Sequence, residues 1–237
     1  MTIWVGTSGY NYPEWKGSFY PQTLSAAKML PYYAERFSTV EINYTFYRMP
    51  NEKIVRGWSR ETPDRFKLTL KAPKRITHDA RLRDCAEPVR RFVDTAKALG
   101  GKLGALLFQL PPYFRKDLEV LDDFLRVLPA GVCAALEFRH ASWLDEEVYS
   151  RLQARNLALC VADGGKISTP VRVTADYAYF RLRDEGYTPE DIAKWARTIR
   201  DQTTQCRDVY VYFKHEEAGK GPEFARLLLA ELGESVR

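Results

Sequence analysis

The chain has 237 residues, 45% hydrophobic and 28% charged, with 36 basic against 31 acidic side chains and a formal charge of +5 at pH 7. That size and balance suit one α/β barrel of about 250 residues and exclude a disordered or low-complexity chain. The mild basic excess fits an anionic ligand without demanding nucleic acid, and the absence of any run of about eighteen apolar residues excludes a membrane-spanning helix.

In chain order, Ile3-Trp4-Val5 opens on strand character and lacks the basic and apolar regions of a secretory signal. Cys85, Cys133, Cys160 and Cys206 are widely spaced without a CxxC pair, so they read as structural thiols in a reducing compartment, and a cytoplasmic location is expected. Short apolar runs recur about every 25 to 35 residues, each followed by helical periodicity, which is the pattern of βα units around a parallel sheet. The strand candidates are 3–9, 39–46, 65–72, 103–110, 132–139, 157–163, 177–183 and 208–214, eight in all. The helical stretches are about 25–37, 51–61, 84–99, 117–127, 144–155, 189–202 and 222–232. Thr188-Pro189-Glu190-Asp191 reads as a cap followed by proline at the first helical position, and Gly100-Gly101 as the stop of the third helix. Residues 164–176, with Gly164-Gly165 and Pro170, predict a loop or a short degenerate helix. No linker interrupts the alternation. The prediction is a single (β/α)8 TIM barrel domain over 1–237 with an irregular unit after strand six, ahead of a doubly wound sheet, which would want GxGxxG after its first strand.

Side chains alternate between the two faces of a strand, and charges cannot sit against the helix layer of a barrel. That rule turns Leu136 and Phe138 outward and Glu137 and Arg139 inward. By the same reasoning Glu41 and Asn43 face inward on strand two, Lys71 on three, Gln109 on four, Asp163 on six, Arg181 and Arg183 on seven and Lys214 on eight. Ser8 of strand one completes the ring. All lie near C-terminal strand ends, where such barrels carry their active sites. Five cations (Lys71, Arg139, Arg181, Arg183, Lys214) against three carboxylates (Glu41, Glu137, Asp163) point to an anionic ligand. The competing reading makes Glu137 with Arg181, or Glu41 with Lys71, interior ion pairs that close the core, although buried pairs are weak stabilisers.

After strand eight, Gly219-Lys220-Gly221-Pro222 offers backbone N–H groups at a helix start for a phosphate, or simply a turn. Aromatic residues crowd the loops at Tyr10, Tyr12, Trp15, Phe19, Tyr20, Tyr44, Phe46, Tyr47 and Trp143. They read as platforms for a base or sugar, or as a lid packed on itself, the lid serving at least as well for Trp15, Phe19 and Phe46.

Gly6-Thr7-Ser8-Gly9-Tyr10 with Trp15 and Phe19-Tyr20-Pro21, Val40-Glu41-Ile42-Asn43-Tyr44-Thr45-Phe46-Tyr47, Lys71-Ala72-Pro73 with Ile76-Thr77-His78, Gln109-Leu110-Pro111-Pro112, and Glu137-Phe138-Arg139-His140 with Ser142-Trp143 together resemble the YecE-like family, domain of unknown function 72. The resemblance runs in order over nearly the whole chain. It implies a (β/α)8 barrel similar in outline to endonuclease IV and sugar isomerase barrels, and it supplies no activity. Where many members carry Arg-x-His-Gly after strand seven, this chain has Arg181-Leu182-Arg183-Asp184; where they carry Phe-Asn-Asn after strand eight, it has Phe213-Lys214-His215. Both departures make the mouth more basic.

The leading functional reading is an enzyme acting on a nucleotide or nucleic-acid phosphodiester. Arg139, Arg181, Arg183 and Lys214 would hold the phosphate, Glu137 or Glu41 would act as general base and His78 or His140 as proton donor. Ser8, Tyr10, Asn43, Tyr44, Lys71, Gln109 and Trp143 join them as substrate-binding candidates. A metal-assisted version recruits Glu41, His78, Glu137 and Asp163 to a divalent ion, Zn, Mn or Mg, although His78, His140 and His215 show no HxH or HExxH spacing. A carbohydrate-active version pairs Glu41 and Glu137 as acid and nucleophile with Trp143 and Tyr10 as sugar platforms. The non-enzymatic alternative binds single-stranded nucleic acid or a phosphorylated metabolite, with Lys74-Arg75, Arg81, Arg83 and Arg90-Arg91 as a basic track or as solvated faces. Ser8 lies outside GxSxG and reads as a hydrogen-bonding neighbour.

Overall fold

The computed structural model describes residues 1–164 and 167–233. The β-branched and aromatic runs form eight parallel strands that close into a barrel in chain order. They are β1 (Thr2–Ser8), β2 (Thr39–Ile42), β3 (Lys67–Lys71), β4 (Leu103–Gln109), β5 (Ala134–Glu137), β6 (Ala158–Ala162), β7 (Tyr177–Leu182) and β8 (Asp208–Phe213). Around them run α1 (Met29–Ala34), α2 (Tyr44–Tyr47), α3 (Glu52–Arg60), α4 (Ala86–Lys97), α5 (Leu118–Val127), α6 (Glu146–Ala154), α7 (Pro189–Gln202) and α8 (Lys220–Glu231). The barrel prediction is met.

Local chemistry sets the boundaries. Helix α7 has the predicted bounds because Thr188 and Asp191 form a reciprocal capping box with Pro189 behind it. Asn51, Asp117 and Asp145 cap α3, α5 and α6 by accepting from the N–H three residues on. Strand β2 ends at Ile42 rather than at 46, because Asn43 already has helical backbone and opens α2. Between β6 and β7 no helix occurs among the described residues; Gly165 and Lys166, part of the predicted loop, lie outside them. No helix of the described residues is long and apolar enough to cross a membrane.

Two apolar layers result. The larger lies between strands and helices and holds Val40, Leu68, Leu106, Phe108, Leu136 and Phe180. The smaller fills the barrel, where Ala105, Ala135, Ala158 and Ala162 on β4 to β6 leave room for Tyr177, Tyr179, Tyr210 and Tyr212 from β7 and β8. The hydroxyls of Tyr177 and Tyr212 find partners. Tyr212 OH lies 2.8 Å from both Thr39 Oγ1 and Thr69 Oγ1, and Tyr177 OH donates to Ala134 O at 2.9 Å. Filled below by these rings, the barrel leaves its polar inward positions at the C-terminal strand ends.

Close approach of β1 to β2 depends on Gly6. A Cβ there would stand 2.1 Å from the Thr39 carbonyl oxygen and 2.9 Å from the Tyr33 hydroxyl. Because the first obstacle is backbone, Gly6→Ala should lower unfolding free energy by about 1–3 kcal/mol or more in urea denaturation. An unchanged midpoint would mean that β1 moves aside freely.

Candidate functional site

Inward parity brings Glu41 from β2, Glu137 from β5 and Arg181 from β7 together, all with no exposed surface. Arg181 Nε donates towards both Glu41 oxygens at 3.0 Å, Nη2 to Glu41 Oε1 and Ser8 Oγ at 2.9 Å each, and Nη1 to Glu137 Oε2 at 3.1 Å. The Ser8 hydroxyl donates to Glu41 Oε1 and accepts from Asn43 Nδ2 at 2.9 Å. Tyr179 OH donates to Glu41 Oε2 at 2.5 Å. Burial pushes the Glu41 carboxyl up, but the Arg181 charge and the hydrogen bonds from Arg181, Ser8 and Tyr179 overcome it and hold the group below the ordinary range. Glu137 behaves alike: burial opposes ionisation, and the charges of Arg181, Lys71 and Arg183 with the Gln109 hydrogen bond win.

The network continues to Lys71. Its Nζ donates to Gln109 Oε1 at 2.9 Å, and Gln109 Nε2 donates to Glu137 Oε2 at 2.8 Å. The amide orientation is fixed by its neighbours, since ammonium only donates and carboxylate only accepts. Lys71 Nζ also sits 4.1 Å over the Phe46 ring. Burial, with Arg181 and Lys214 nearby, brings Lys71 down to about 7, against the pull of Glu137 and Glu41. Glu137 Oε1 and Asn43 Oδ1 are buried without a partner among the described residues. His78 lies on a single π-helical turn, Arg75–Asp79, edge-on to Phe46 at 4.9 Å, with Nδ1 2.9 Å from Thr77 Oγ1. Burial and then the charges of Lys71 and Arg139 lower its affinity for a proton. The chain after it is strained, with Arg81, Leu82 and Asp84 all at positive φ.

Two adjoining cavities open above the network. One, of about 290 Å³, is lined by Tyr10, Ile42, Ile54 and Trp58. The other, of about 330 Å³, is lined by Phe46, Tyr47, Lys71 and Lys214 with Glu216. Asn11, Tyr12, Asn43 and Tyr44 line both, so an aromatic half meets a cationic half.

Several predicted members stand elsewhere. Inward positions on β6 are Ala158, Cys160 and Ala162, so Asp163, one residue past the strand, is out of phase with the ring. It accepts from the Arg183 backbone N–H at 2.7 Å and from Tyr187 OH. Arg183 turns back to donate to the carbonyls of Asp163 and Gly164. Trp143 is no platform: it has no exposed surface, stacks on Phe138 at 4.9 Å, and donates to Phe114 O at 2.7 Å. His140 uses Nδ1 to accept from Ser142 N–H at 3.1 Å, capping a 3-10 turn. At α8, the Lys220 N–H donates to Glu217 O and Pro222 has none, so the motif offers a phosphate at most the N–H groups of Gly219 and Gly221. Among the described residues no group of three His, Cys, Asp or Glu gathers to hold a metal, and Glu41, with both oxygens held by Arg181, is a poor ligand for a divalent ion. The glycosidase pair fails because the Arg181 guanidinium occupies the space between its two carboxylates.

Lys214 pairs with Glu216 at 3.3 Å, a carboxylate the sequence reading did not place in the mouth. Lys71 and Lys214 on the cavity wall therefore stand against Glu216, with buried Arg181 paired to Glu41 and Glu137. Tyr179, also overlooked, shares inward parity with Arg181 and was findable on that signal. Asn11 and Trp58 carry no periodic signal that marks them as cavity walls.

Comparison with known proteins agrees with this architecture. The family described as "Protein of unknown function DUF72" matches residues 4–237. UPF0759 protein YecE of Escherichia coli (strain K12) is 32% identical over 139 residues, 58% of this chain and 48% of YecE, so the match spans about half of that relative's length. UPF0759 protein YunF of Bacillus subtilis (strain 168) is 23% identical over 96% of this chain and 93% of YunF. A DUF72 family crystal structure from Thermotoga maritima MSB8, 28% identical, superposes with a TM-score of 0.88 over 99% of this chain and 100% of that one. Another from Enterococcus faecalis V583, 18% identical, gives 0.86 over 99% and 96% and bears on the fold alone.

The arginine-centred network makes a pH-dependent prediction. With folded carboxyls held low, its contribution is present above the unfolded value of about 4 and is lost as pH falls through the folded values. Arg181→Met strands two buried carboxyls and raises their folded values instead. The variant should lose roughly 3–5 kcal/mol at pH 7 and regain part of it between pH 7 and 5, as the stranded groups protonate. Urea denaturation at both pH values tests this; an equal deficit at each would show that the carboxylates escape to water.

Proposed function

This chain belongs to the DUF72 family, and we propose that its barrel mouth binds a small ring-bearing phosphoester of the nucleotide class and hydrolyses the ester. The observation that carries this reading is the junction of the two cavities, aromatic on one side and edged by Lys71 and Lys214 on the other. A base or sugar ring packs among Tyr10, Tyr44 and Trp58, where stacking contributes about 1–3 kcal/mol per base. The phosphate meets Lys71 and Lys214, with half-buried Arg139, two residues past β5, adding positive charge near His78.

Glu41 takes no part as a base, since both its oxygens are held by Arg181, Ser8 and Tyr179. His78 is the better proton acceptor. Its lowered affinity keeps it neutral at pH 7, and when Nδ1–H donates to Thr77, Nε2 is left to take a proton from an attacking water. Lys71 and Arg139 then balance charge that develops on the phosphoryl oxygens. The outward tyrosines Tyr47 and Tyr113, 76% and 66% exposed, favour a second reading in which the ligand is single-stranded nucleic acid.

A cyclic mononucleotide, whose charge does not change between pH 6 and 8, is the discriminating ligand. It should raise the melting temperature of the protein by mass action. Because Lys71 carries its charge below about 7 and loses it above, affinity should weaken between pH 6 and 8 in the parent and stay level in Lys71→Met. Lys214→Ala should weaken binding by about tenfold, the effect of losing one charge-assisted contact. Turnover of the same compound, read by product chromatography, should fall in His78→Asn. If no nucleotide stabilises the protein, the reading is wrong; a steep salt slope confined to oligonucleotides would move it to nucleic acid.

A further inference from the structure

Lys71 departs from how proteins ordinarily keep a buried lysine. It is 7% exposed, yet it makes no ion pair among the described residues; its hydrogen-bond partner is the neutral amide of Gln109, at 2.9 Å. One side of the amine is closed by the Phe46 ring at 4.1 Å, and the cavity shared with Lys214, Tyr12 and Tyr44 opens beside it. A core that needed only to be filled would use Met or Leu here, because a desolvated ammonium without a carboxylate partner destabilises the fold. Local rules are broken in this way mainly where a site requires it.

We infer that Lys71 is a carbonyl-reactive amine that captures an anionic aldehyde or ketone as an imine in the cationic half of the mouth. The inference rests on the reading above for the seat of the anion and goes beyond it in the chemistry. The groups facing Lys71 are Arg181 from β7, Lys214 after β8, Glu137 from β5, Glu41 from β2 and the neighbouring His78. Burial and the two cations bring the amine to about 7, so about half of it is unprotonated at neutral pH, against roughly one in three thousand for an ordinary lysine.

The step balances without an oxidant or reductant. The Nζ lone pair bonds to the carbonyl carbon while the C=O π pair moves to oxygen, and a proton passes from nitrogen to that oxygen to give a carbinolamine. The C–O bond then breaks, the hydroxyl leaves as water with one further proton, and nitrogen closes the C=N bond by giving up its remaining hydrogen. Lys214 faces the anionic end of such a compound across the cavity.

Reductive trapping tests this on the full chain. Pyridoxal 5′-phosphate and the smaller glycolaldehyde phosphate are each incubated at pH 7 with cyanoborohydride, beside their unphosphorylated counterparts, and adducts are located by peptide mass. Lys71 should be labelled at least about tenfold faster than the exposed Lys53, Lys74 and Lys97, despite its burial. The adduct at this position should vanish in Lys71→Arg, whose melting temperature reports that it folds. Labelling of Lys71 no faster than surface lysines with both probes overturns the inference, while cyclic nucleotide binding, if retained, leaves the phosphoester reading standing. Selective labelling that is equally fast without the phosphate supports the amine's reactivity and removes the anion seat instead.

Discussion

A guanidinium cut off from water keeps its charge, so its surroundings have to supply counter-charge and acceptors for its five N–H bonds. Arg181, on β7, meets most of that demand from three other strands, with Ser8 on β1, Glu41 on β2 and Glu137 on β5 accepting four of the five. A register slip of one residue on β2, β5 or β7 would turn a charge into the helix layer. The network therefore fixes which residues reach the mouth. It stands on buried tyrosine rings, the hydroxyls of Tyr177 and Tyr212 among them paired, so the medium around it is dry and its hydrogen bonds are correspondingly strong.

That same saturation removes the carboxylates from chemistry. A general base needs a free lone pair and a route to the substrate; Glu41 has neither, and Glu137 keeps a single buried unpartnered oxygen. One guanidinium between two carboxylates leaves the triad with a net negative charge, which opposes complete deprotonation of Lys71 while burial and Arg181 favour it. Structural charge and reactive charge thus occupy adjacent positions. The first is locked by geometry, and the second is left poised.

Much of this was legible from alternation alone. Period-two patterning with helical stretches between gave eight strands and the inward identity of Glu41, Lys71, Gln109, Glu137 and Arg181, because each is polar in an apolar run. Alternation names a face, however, and not a partner across the barrel: Arg181 reaches Glu41 on β2 as well as Glu137, and Lys71 turns to Gln109 instead of Glu41. Asp163 was assigned by its charge, although the small residues at 158, 160 and 162 set the inward phase against it. Trp143 was assigned by its loop, and the short turn from Ala141 carries it under Phe114 and Phe138, which no periodicity records. Tyrosine is tolerated on either face of a barrel strand, so Tyr179 drew no notice beside its charged neighbour.

The two departures from the family pattern differ in consequence for a physical reason. Arg183 follows β7 closely enough to fold back on the carbonyls of Asp163 and Gly164, and its backbone approaches so near that a Cβ on Gly164 would stand 2.9 Å from it. Its charge is drawn into the loop's own hydrogen bonding. Lys214, one residue beyond β8, extends over the cavity, and among the described residues its side chain pairs with Glu216, a contact between partly exposed groups that water screens. A neutral residue at that position would leave the Arg181 network untouched and remove one positive charge from the cavity wall. The charge of the cavity wall is thereby adjustable at position 214 independently of what holds the barrel together.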